Sequence, residues 1–167
     1  MKNLFLTILF FSIILNINAQ EKDKETLFYS ISFSPLNIYS DNTSGGLGLN
    51  ADVSFNKGNH IFKIYLGCAT EFKLFGGAAD TFVEYNLLYG RKLEITKWVG
   101  IDLFAGLGYF NFSDSSLKSK KETIGFPLQG KIRFNTGPKF SLGLQLHRNT
   151  NNVKNVNHYG IFLQWKL

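Results

Sequence analysis

The sequence predicts an all-β protein, an eight-stranded antiparallel up-and-down transmembrane β-barrel. Three observations lead to this prediction. Apolar and polar residues alternate in segment after segment, so each predicted strand has one apolar and one polar face. Turn-forming residues separate these segments, and no helix-sized segment lies between them. Beyond the N-terminal segment no apolar run is long enough for a spanning helix, so alternating strands are the only route into lipid.

The N-terminal segment predicts export. Lys2 precedes an apolar run over residues 4–15, and a small residue then stands before a polar region. This is the layout of a secretory signal peptide, here residues 1–19, and its apolar core of about a dozen residues is short for a membrane span. Residues 20–26 are then a short charged leader, and residues 27–167 form the barrel.

Composition excludes several classes of function. The formal net charge is +6, but the basic residues are spread over the predicted turns, loops and one face of the strands. Without a basic patch, nucleic-acid binding has little support. Cys68 is the only cysteine, which rules out an intrachain disulfide and a cysteine-based metal cluster. We expect no cofactor.

The first half of the barrel contains four predicted strands. The first, residues 27–34, ends before Pro35, which lacks a ladder donor and should lie near a strand end or an irregularity. The second, residues 47–55, alternates almost perfectly. A tight turn leads to the third, residues 62–72, and a glycine-containing loop leads to the fourth, residues 83–90.

The turn between the second and third strands allows a prediction of register. Folding these strands about Lys57 and Gly58 places Asp52 opposite Lys63. Opposite charges would then face each other across one antiparallel ladder, which stabilises the pairing.

The second half continues the same pattern. The fifth and sixth strands are residues 99–109 and 124–134, and Pro127 in the sixth predicts a bulge or a local break in pairing. The seventh strand is residues 140–147. Residues 157–167 form a closing strand whose apolar face we expect to act as the assembly signal; its members are Tyr159, Ile161, Leu163, Trp165 and Leu167.

The connections alternate in length, which predicts the orientation of the barrel. The even connections are short turns, as expected for the periplasmic side, where both termini should then lie. The odd connections are longer and polar, as expected for the outer surface; they are residues 39–46, 73–80, 113–122 and 148–156.

Two stretches resemble a known group of proteins. The segment over residues 84–91, E-Y-N-L-L-Y-G-R, and the glycine-rich segment over residues 104–109, F-A-G-L-G-Y, resemble small outer-membrane β-barrels of Gram-negative bacteria. This group includes the OmpA transmembrane domain and OmpX, and the resemblance is greatest to uncharacterised barrels of the Bacteroidetes type. It implies a monomer in the outer membrane, surrounded by lipid and lipopolysaccharide and inserted by the barrel-assembly machinery. The usual terminal aromatic is replaced by Leu167, with Trp165 two positions earlier.

The polar face predicts a filled, closed lumen. It carries equal numbers of acidic and basic residues among glycines and serines, which suits a narrow interior where buried ions need partners. A soluble lipocalin-like barrel that binds an apolar ligand would exchange inside and outside, but the bulky apolar face would overfill a small interior. A narrow, gated ion path through the lumen is a further alternative. The predicted structural network is Asp52, Glu71, Glu84 and Asp102 with Lys63, Lys131, Arg133 and Lys166.

His147 is the candidate catalytic residue. Lipid A deacylases of this size place a catalytic histidine near a strand end, with a serine two residues later and an acid beyond. Here Asn149 occupies the serine position, Thr150 follows, and no acidic residue occurs after Glu122. Because the triad lacks a nucleophile and an orienting carboxylate, we predict that the protein is not an enzyme. His60 and His158 have no metal-ligand spacing, so we expect no metal site.

One loop is rich in lysine. Lys118, Lys120 and Lys121 should lie in a solvated outer loop, where they could attract anionic lipopolysaccharide or a partner surface. The sequence therefore predicts an integral outer-membrane barrel with a structural, envelope or surface-interaction role. A lipid-modifying enzyme and a secreted lipocalin-like binder are the alternatives.

Overall fold

The computed structural model of the chain describes residues 27–41, 44–71, 79–115 and 117–167. The eight strands close into one antiparallel barrel in sequence order, with β8 paired to β1. This confirms the predicted fold class. The predicted signal peptide and leader lie outside the described residues. Within the described residues, no helix is long and apolar enough to cross a membrane. The strands are β1 (Leu27–Ser40), β2 (Gly45–Lys57), β3 (His60–Glu71), β4 (Thr81–Glu94), β5 (Val99–Asp114), β6 (Ser119–Asn135), β7 (Phe140–Asn151) and β8 (Val156–Lys166).

Alternation along each strand separates an apolar outer surface from a polar lumen. Leu87 on β4 is 66% exposed, whereas its sequence neighbour Asn86 is 1% exposed. Successive side chains of a strand point to opposite sides of a sheet, so this contrast repeats around the barrel. Because the apolar face points outward and the polar face inward, the lipocalin-like alternative is wrong. The outer surface is the one that a bilayer covers.

We call the end that carries Leu27 and Leu167 the terminal end, and the opposite end the loop end. The strands continue further toward the loop end than predicted. β1 runs to Ser40, β5 runs to Asp114, and β6 begins at Ser119. Three of the four long loops predicted at this end are therefore wrong. The strand ends beyond the apolar outer surface are mostly polar, so they lack the alternation that predicts a strand. The fourth, predicted over residues 73–80, falls between the end of β3 at Glu71 and the start of β4 at Thr81, mostly outside the described residues.

Two of the prolines lie where strand pairing is irregular, as predicted. The register of β1 against β2 shifts between Ser34 and Asn37, which forms a bulge at Pro35. β1 therefore continues past Pro35 instead of ending there. Pairing of β6 with β5 is interrupted around Pro127 and resumes in the same register, which is a local break and not a shift.

The predicted pairing of Asp52 with Lys63 is wrong by two residues. Asp52 lies opposite Tyr65, and Ser54 lies opposite Lys63. The turn consists of Gly58 and Asn59, and Gly58 has a φ of 56°, in the left-handed region that favours glycine at this position of a hairpin. A slip of two residues keeps both side chains on the lumen face, so they still meet diagonally, with Lys63 Nζ 3.6 Å from Asp52 Oδ2.

Candidate functional site: the lumen and the loop end

The lumen near the terminal end contains an ion cluster centred on Arg133. Its guanidinium donates to both carboxylate oxygens of Asp102, with Nε 3.1 Å from Oδ2 and Nη2 3.3 Å from Oδ1. Nη2 also lies 3.0 Å from Glu94 Oε1, and Lys92 Nζ lies 2.6 Å from the same oxygen. A fork of donors matched to carboxylates suits a buried ion pair, because several hydrogen bonds offset the cost of desolvation.

A second cluster in the lumen surrounds Asp52. Lys131 Nζ lies 2.7 Å from Asp52 Oδ2, and Lys63 Nζ donates to Gln129 Oε1 at 2.8 Å in addition to its contact with Asp52. The cluster contains one anion and two cations, so the charge of the Asp52 carboxylate does not neutralise both lysines. Aromatic rings further stabilise the two cations through cation–π contacts: Lys63 Nζ lies 3.5 Å from the Phe104 ring centroid, and Lys131 Nζ lies 4.5 Å from that of Phe162.

These inward aromatic rings fit in a narrow lumen because each lies on a cross-strand glycine. Phe104 pairs with Gly90, and Phe162 pairs with Gly143. A Cβ on Gly143 would lie 2.8 Å from the Phe162 ring, closer than van der Waals contact allows. Phe162 breaks the polar pattern of the inward face of β8, and the glycine opposite it explains how the ring is accommodated.

A third cluster, nearer the loop end, joins Glu84 to two histidines. Glu84 Oε1 lies 3.2 Å from His147 Nε2 and 3.4 Å from His158 Nε2. Glu84 Oε2 accepts a hydrogen bond from Asn149 Nδ2 at 2.6 Å, and the Tyr65 ring stacks on His147 at 4.6 Å between centroids. All five residues are buried. His147 therefore has a carboxylate partner, contrary to the prediction. Glu84 lies on β4, far before His147 in the sequence, and only its inward parity could have indicated the contact.

Above this cluster an apolar group fills the lumen at the loop end. We call it the apolar plug; it consists of Tyr39, Ala69, Phe82, Phe110, Phe112 and Val156, each buried. The Tyr39 and Phe82 rings meet edge to face at 5.1 Å between centroids. The plug was not predicted, because Tyr39 and Phe112 lie beyond the predicted ends of the first and fifth strands.

The connection over residues 152–155 covers the plug. Val153 packs against it, and Lys154 Nζ lies 2.7 Å from Asp41 Oδ2 in the connection between β1 and β2. Lys154 Nζ also lies 4.9 Å from the Phe112 ring centroid and 3.2 Å from Ser44 Oγ. These contacts tie two neighbouring connections together over the mouth of the barrel.

Two residues of the predicted lumen network lie at the rims instead of in the buried clusters. Glu71, at the end of β3, is half-buried, and its Oε2 accepts from the Asp80 backbone N at 3.4 Å. Lys166, at the end of β8, is half-buried, with Nζ 5.7 Å from the Phe28 ring centroid. The other predicted members, which the structure brings into the three clusters, are Asp52, Lys63, Glu84, Asp102, Lys131 and Arg133.

The three loop lysines occupy the tip of the β5–β6 hairpin. Lys118 lies in the turn with a φ of 48°, while Lys120 and Lys121 belong to β6. All three are exposed, so the hairpin presents them above the apolar zone. The predicted solvated loop is thus largely an extension of two paired strands.

The remaining predicted residues are placed as follows. His60 lies on the outer surface, with Nδ1 2.6 Å from the Tyr89 hydroxyl. Among the described residues, no group of three or more His, Cys, Asp or Glu side chains is arranged to hold a metal ion. The apolar face of β8 points outward and consists of Tyr159, Ile161, Leu163 and Trp165, followed by Leu167.

Comparison with known proteins shows similarity in structure and not in sequence. No protein-family model and no curated protein matches the chain. Among solved structures, neisserial surface protein A (NspA) superposes with a TM-score of 0.68 at 12% identity, covering 87% of this chain and 100% of that one. Ail of Yersinia pestis has a TM-score of 0.59 at 12% identity, with the same coverage, and it is also solved with the heparin analogue sucrose octasulfate. The outer-membrane enzyme PagL has a TM-score of 0.50 at 15% identity, covering 81% and 98%.

The closed barrel, its outward apolar surface and these similarities show that the chain has the fold of the small eight-stranded outer-membrane β-barrel proteins. The OmpA-like and OmpX-like resemblance of the sequence is thereby confirmed at the level of fold. The narrower resemblance to Bacteroidetes barrels stays a prediction.

Proposed function

We propose that the protein is a non-enzymatic outer-membrane barrel with a closed lumen, acting in the envelope through contacts made at its loop end. The observation that carries the proposal is the apolar plug, with the paired charges beneath it. The terminal end faces the periplasm in this proposal, and the β5–β6 hairpin faces outward.

A closed lumen follows from the way in which its contents are paired. An eight-stranded barrel leaves an interior just wide enough for side chains. An ion entering from the loop end would meet the plug, whose side chains carry one hydroxyl, that of Tyr39, and therefore cannot replace the hydration shell of the ion. Deeper in, Lys131 and Arg133 are already held by Asp52 and Asp102 at 2.7 and 3.1 Å. This favours a structural network over the gated ion path.

Planar-bilayer recording tests the closed lumen. We expect no unitary current from the purified, folded protein at moderate voltage. A large porin inserted into the same bilayer is the control for recording conditions. A steady unit conductance from this barrel alone would contradict the closed lumen and favour the ion path.

The exposed lysines on the β5–β6 hairpin support a surface-interaction role. Lys118, Lys120 and Lys121 place three cations at a point where the phosphates of lipopolysaccharide or of an adjacent surface would lie. The complex of Ail with a sulfated heparin analogue is a precedent for anion binding by a barrel of this fold. We therefore propose lipopolysaccharide as the partner of the hairpin tip.

Lipopolysaccharide binding to the barrel in zwitterionic nanodiscs tests this partner. Replacing all three hairpin lysines with glutamine should weaken binding at least about ten-fold at low salt, since each basic residue near an anionic surface contributes ~1 kcal/mol. The effect should shrink as salt rises. The matched control replaces Lys97, Lys139 and Lys166, at or near the terminal end, with glutamine. Equal losses in both variants would contradict a specific role for the hairpin.

The enzyme alternative receives one favourable observation, the contact between Glu84 and His147. Against it, His147 is fully buried in the lumen beneath the plug, while Thr150 points to the opposite, outer face. A catalytic base and its nucleophile need hydrogen-bond contact, which opposite faces of a strand do not allow. Lipid A from cells expressing His147→Ala should match lipid A from cells expressing the unaltered protein. An additional acyl chain on lipid A from cells expressing the variant would support the enzyme alternative.

We further propose that the barrel is a monomer and that the outward face of β8 is recognised during assembly. This face ends in Trp165 and Leu167, which are 42% and 71% exposed. Serine at both positions should lower the amount of protein that shifts mobility on boiling in SDS, while serine at Leu128, on the outer face of β6, should affect assembly less.

A further inference from the structure

The lumen cluster nearer the loop end places two imidazoles on one buried carboxylate. The ring centroids of His147 and His158 lie 5.5 Å apart, and both Nε2 atoms lie within 3.4 Å of Glu84 Oε1. The exposed fraction of each of the three residues is 1% or less. A histidine side chain takes up a proton at about pH 6.5 in water, so two groups that change charge near neutral pH share one acid.

Neutral donors hold Glu84 in its charged form. Its Oε2 accepts a hydrogen bond from Asn149 Nδ2 at 2.6 Å and another from Asn86 Nδ2 at 3.1 Å. Hydrogen bonds of this kind favour a carboxylate over a carboxylic acid. Glu84 therefore supplies one negative charge, which balances one imidazolium and not two.

The other side chains that face the histidine pair, among the residues that the structure describes, are uncharged near pH 6. They come from β1, β2, β3, β5 and β6 and are Tyr39, Asn50, Tyr65, Phe110 and Gln129. No carboxylate in this set is available to a second imidazolium.

The charged groups above and below the pair do not supply the missing anion either. Deeper in the lumen, the cluster around Asp52 already contains one more cation than anions. Toward the mouth, beyond the apolar plug, Asp41 is paired with Lys154, and Glu71 and Asp80 lie at the rim. A second proton on the histidine pair would therefore leave a buried positive charge without a partner, which strongly destabilises a folded protein.

We propose that Glu84, His147 and His158 form an acid-sensitive lock at the loop end of the barrel. The folded barrel holds one proton on the histidine pair, balanced by Glu84, and a second proton breaks the lock. His158 also contacts the plug, with its ring 5.4 Å from that of Phe82 between centroids in an edge-to-face arrangement. Acid therefore loosens the packing beneath the plug. The lock is independent of the membrane orientation and of the partner given in the proposed function.

The direction of the pH dependence follows from the number of protons bound. At pH 5 the unfolded chain carries a proton on both His147 and His158, whereas the folded barrel carries one on the pair. Stability falls with decreasing pH wherever the unfolded state binds more protons than the folded state. The equilibrium constant for unfolding should therefore rise by up to about ten-fold between pH 6 and pH 5, which is the limit for one proton.

Urea unfolding of the full barrel in one uncharged detergent, at pH 6 and at pH 5, tests the lock. The chain contains three histidines, so the third, His60 on the outer surface, provides the matched control. His158→Gln leaves one imidazole for one carboxylate, and its unfolding constant should change less than about two-fold over this range. His60→Gln should keep the full acid response of the unaltered barrel.

The lock is overturned if the unaltered barrel has the same unfolding constant at both pH values, or if His158→Gln responds as His60→Gln does. Loss of the response in His60→Gln would also overturn it, because the outer histidine would then be the sensor. If His158→Gln does not fold, nitrogen-15 NMR of the imidazoles in the unaltered barrel at pH 6 decides instead. We expect one proton on the two buried rings, and two imidazolium rings or two neutral rings would contradict the lock.

Discussion

The Asp52 cluster predicts an asymmetry between its anion and its cations. Asp52→Asn removes the one negative charge and leaves Lys63 and Lys131 buried together, since both contact the same carboxylate at 3.6 and 2.7 Å. Stranding a buried charge costs about 3–5 kcal/mol. The free energy of unfolding should therefore fall by about that amount, with part of the loss offset by the facing aromatic rings.

Removal of one cation should cost less. In Lys131→Met the pair of Asp52 and Lys63 remains and the cluster becomes neutral, so the loss is that of one charge-assisted hydrogen bond, about 1.5–3 kcal/mol. The double variant, Asp52→Asn with Lys131→Met, should be less destabilised than the sum of the two single changes by about 1–3 kcal/mol, because the residues are in contact.

Urea unfolding of the barrel in one detergent or lipid, followed by tryptophan fluorescence from Trp98 and Trp165, measures all three variants. Glu122→Gln, an exposed carboxylate on the hairpin, is the control and should change stability by no more than about 0.5 kcal/mol. The reasoning is refuted if Lys131→Met costs as much as Asp52→Asn, or if the two changes add within about 0.5 kcal/mol.

Two further predictions concern packing and the covered mouth. Gly143→Ala should lower the free energy of unfolding by about 1–3 kcal/mol, because a Cβ there would collide with a β6 carbonyl oxygen and the Phe162 ring. Gly137→Ala, whose Cβ meets nothing within 4 Å, should not, and equal urea midpoints would contradict the fit. Lys154→Met removes the ion pair with Asp41, so amide hydrogen exchange over residues 152–155 should accelerate while the urea midpoint stays unchanged. Unaltered exchange would show that the tie does not hold this connection.

The sequence determined the class of fold and which face of each strand points outward. Alternation has a period of two, so an error at a strand end, such as an end of β1 at residue 34 instead of Ser40, leaves the pattern recognisable across eight strands. The two prolines marked the irregular pairings at β1 and β6 because a missing N–H is a local property. Parity alone predicted the lumen charges, except that Glu71 and Lys166 lie at the rims.

The tertiary structure decided the register, the partners and the filling of the lumen. Asp52 pairs most closely with Lys131, which lies 79 positions away, and Glu84 meets His147 63 positions away. Such contacts depend on which strands face each other across a closed barrel, and no local pattern encodes that. The plug was not predicted for a related reason. Tyr39 and Phe112 lie at strand ends where the apolar residues point into the lumen, whereas along the rest of each strand the apolar residues point outward.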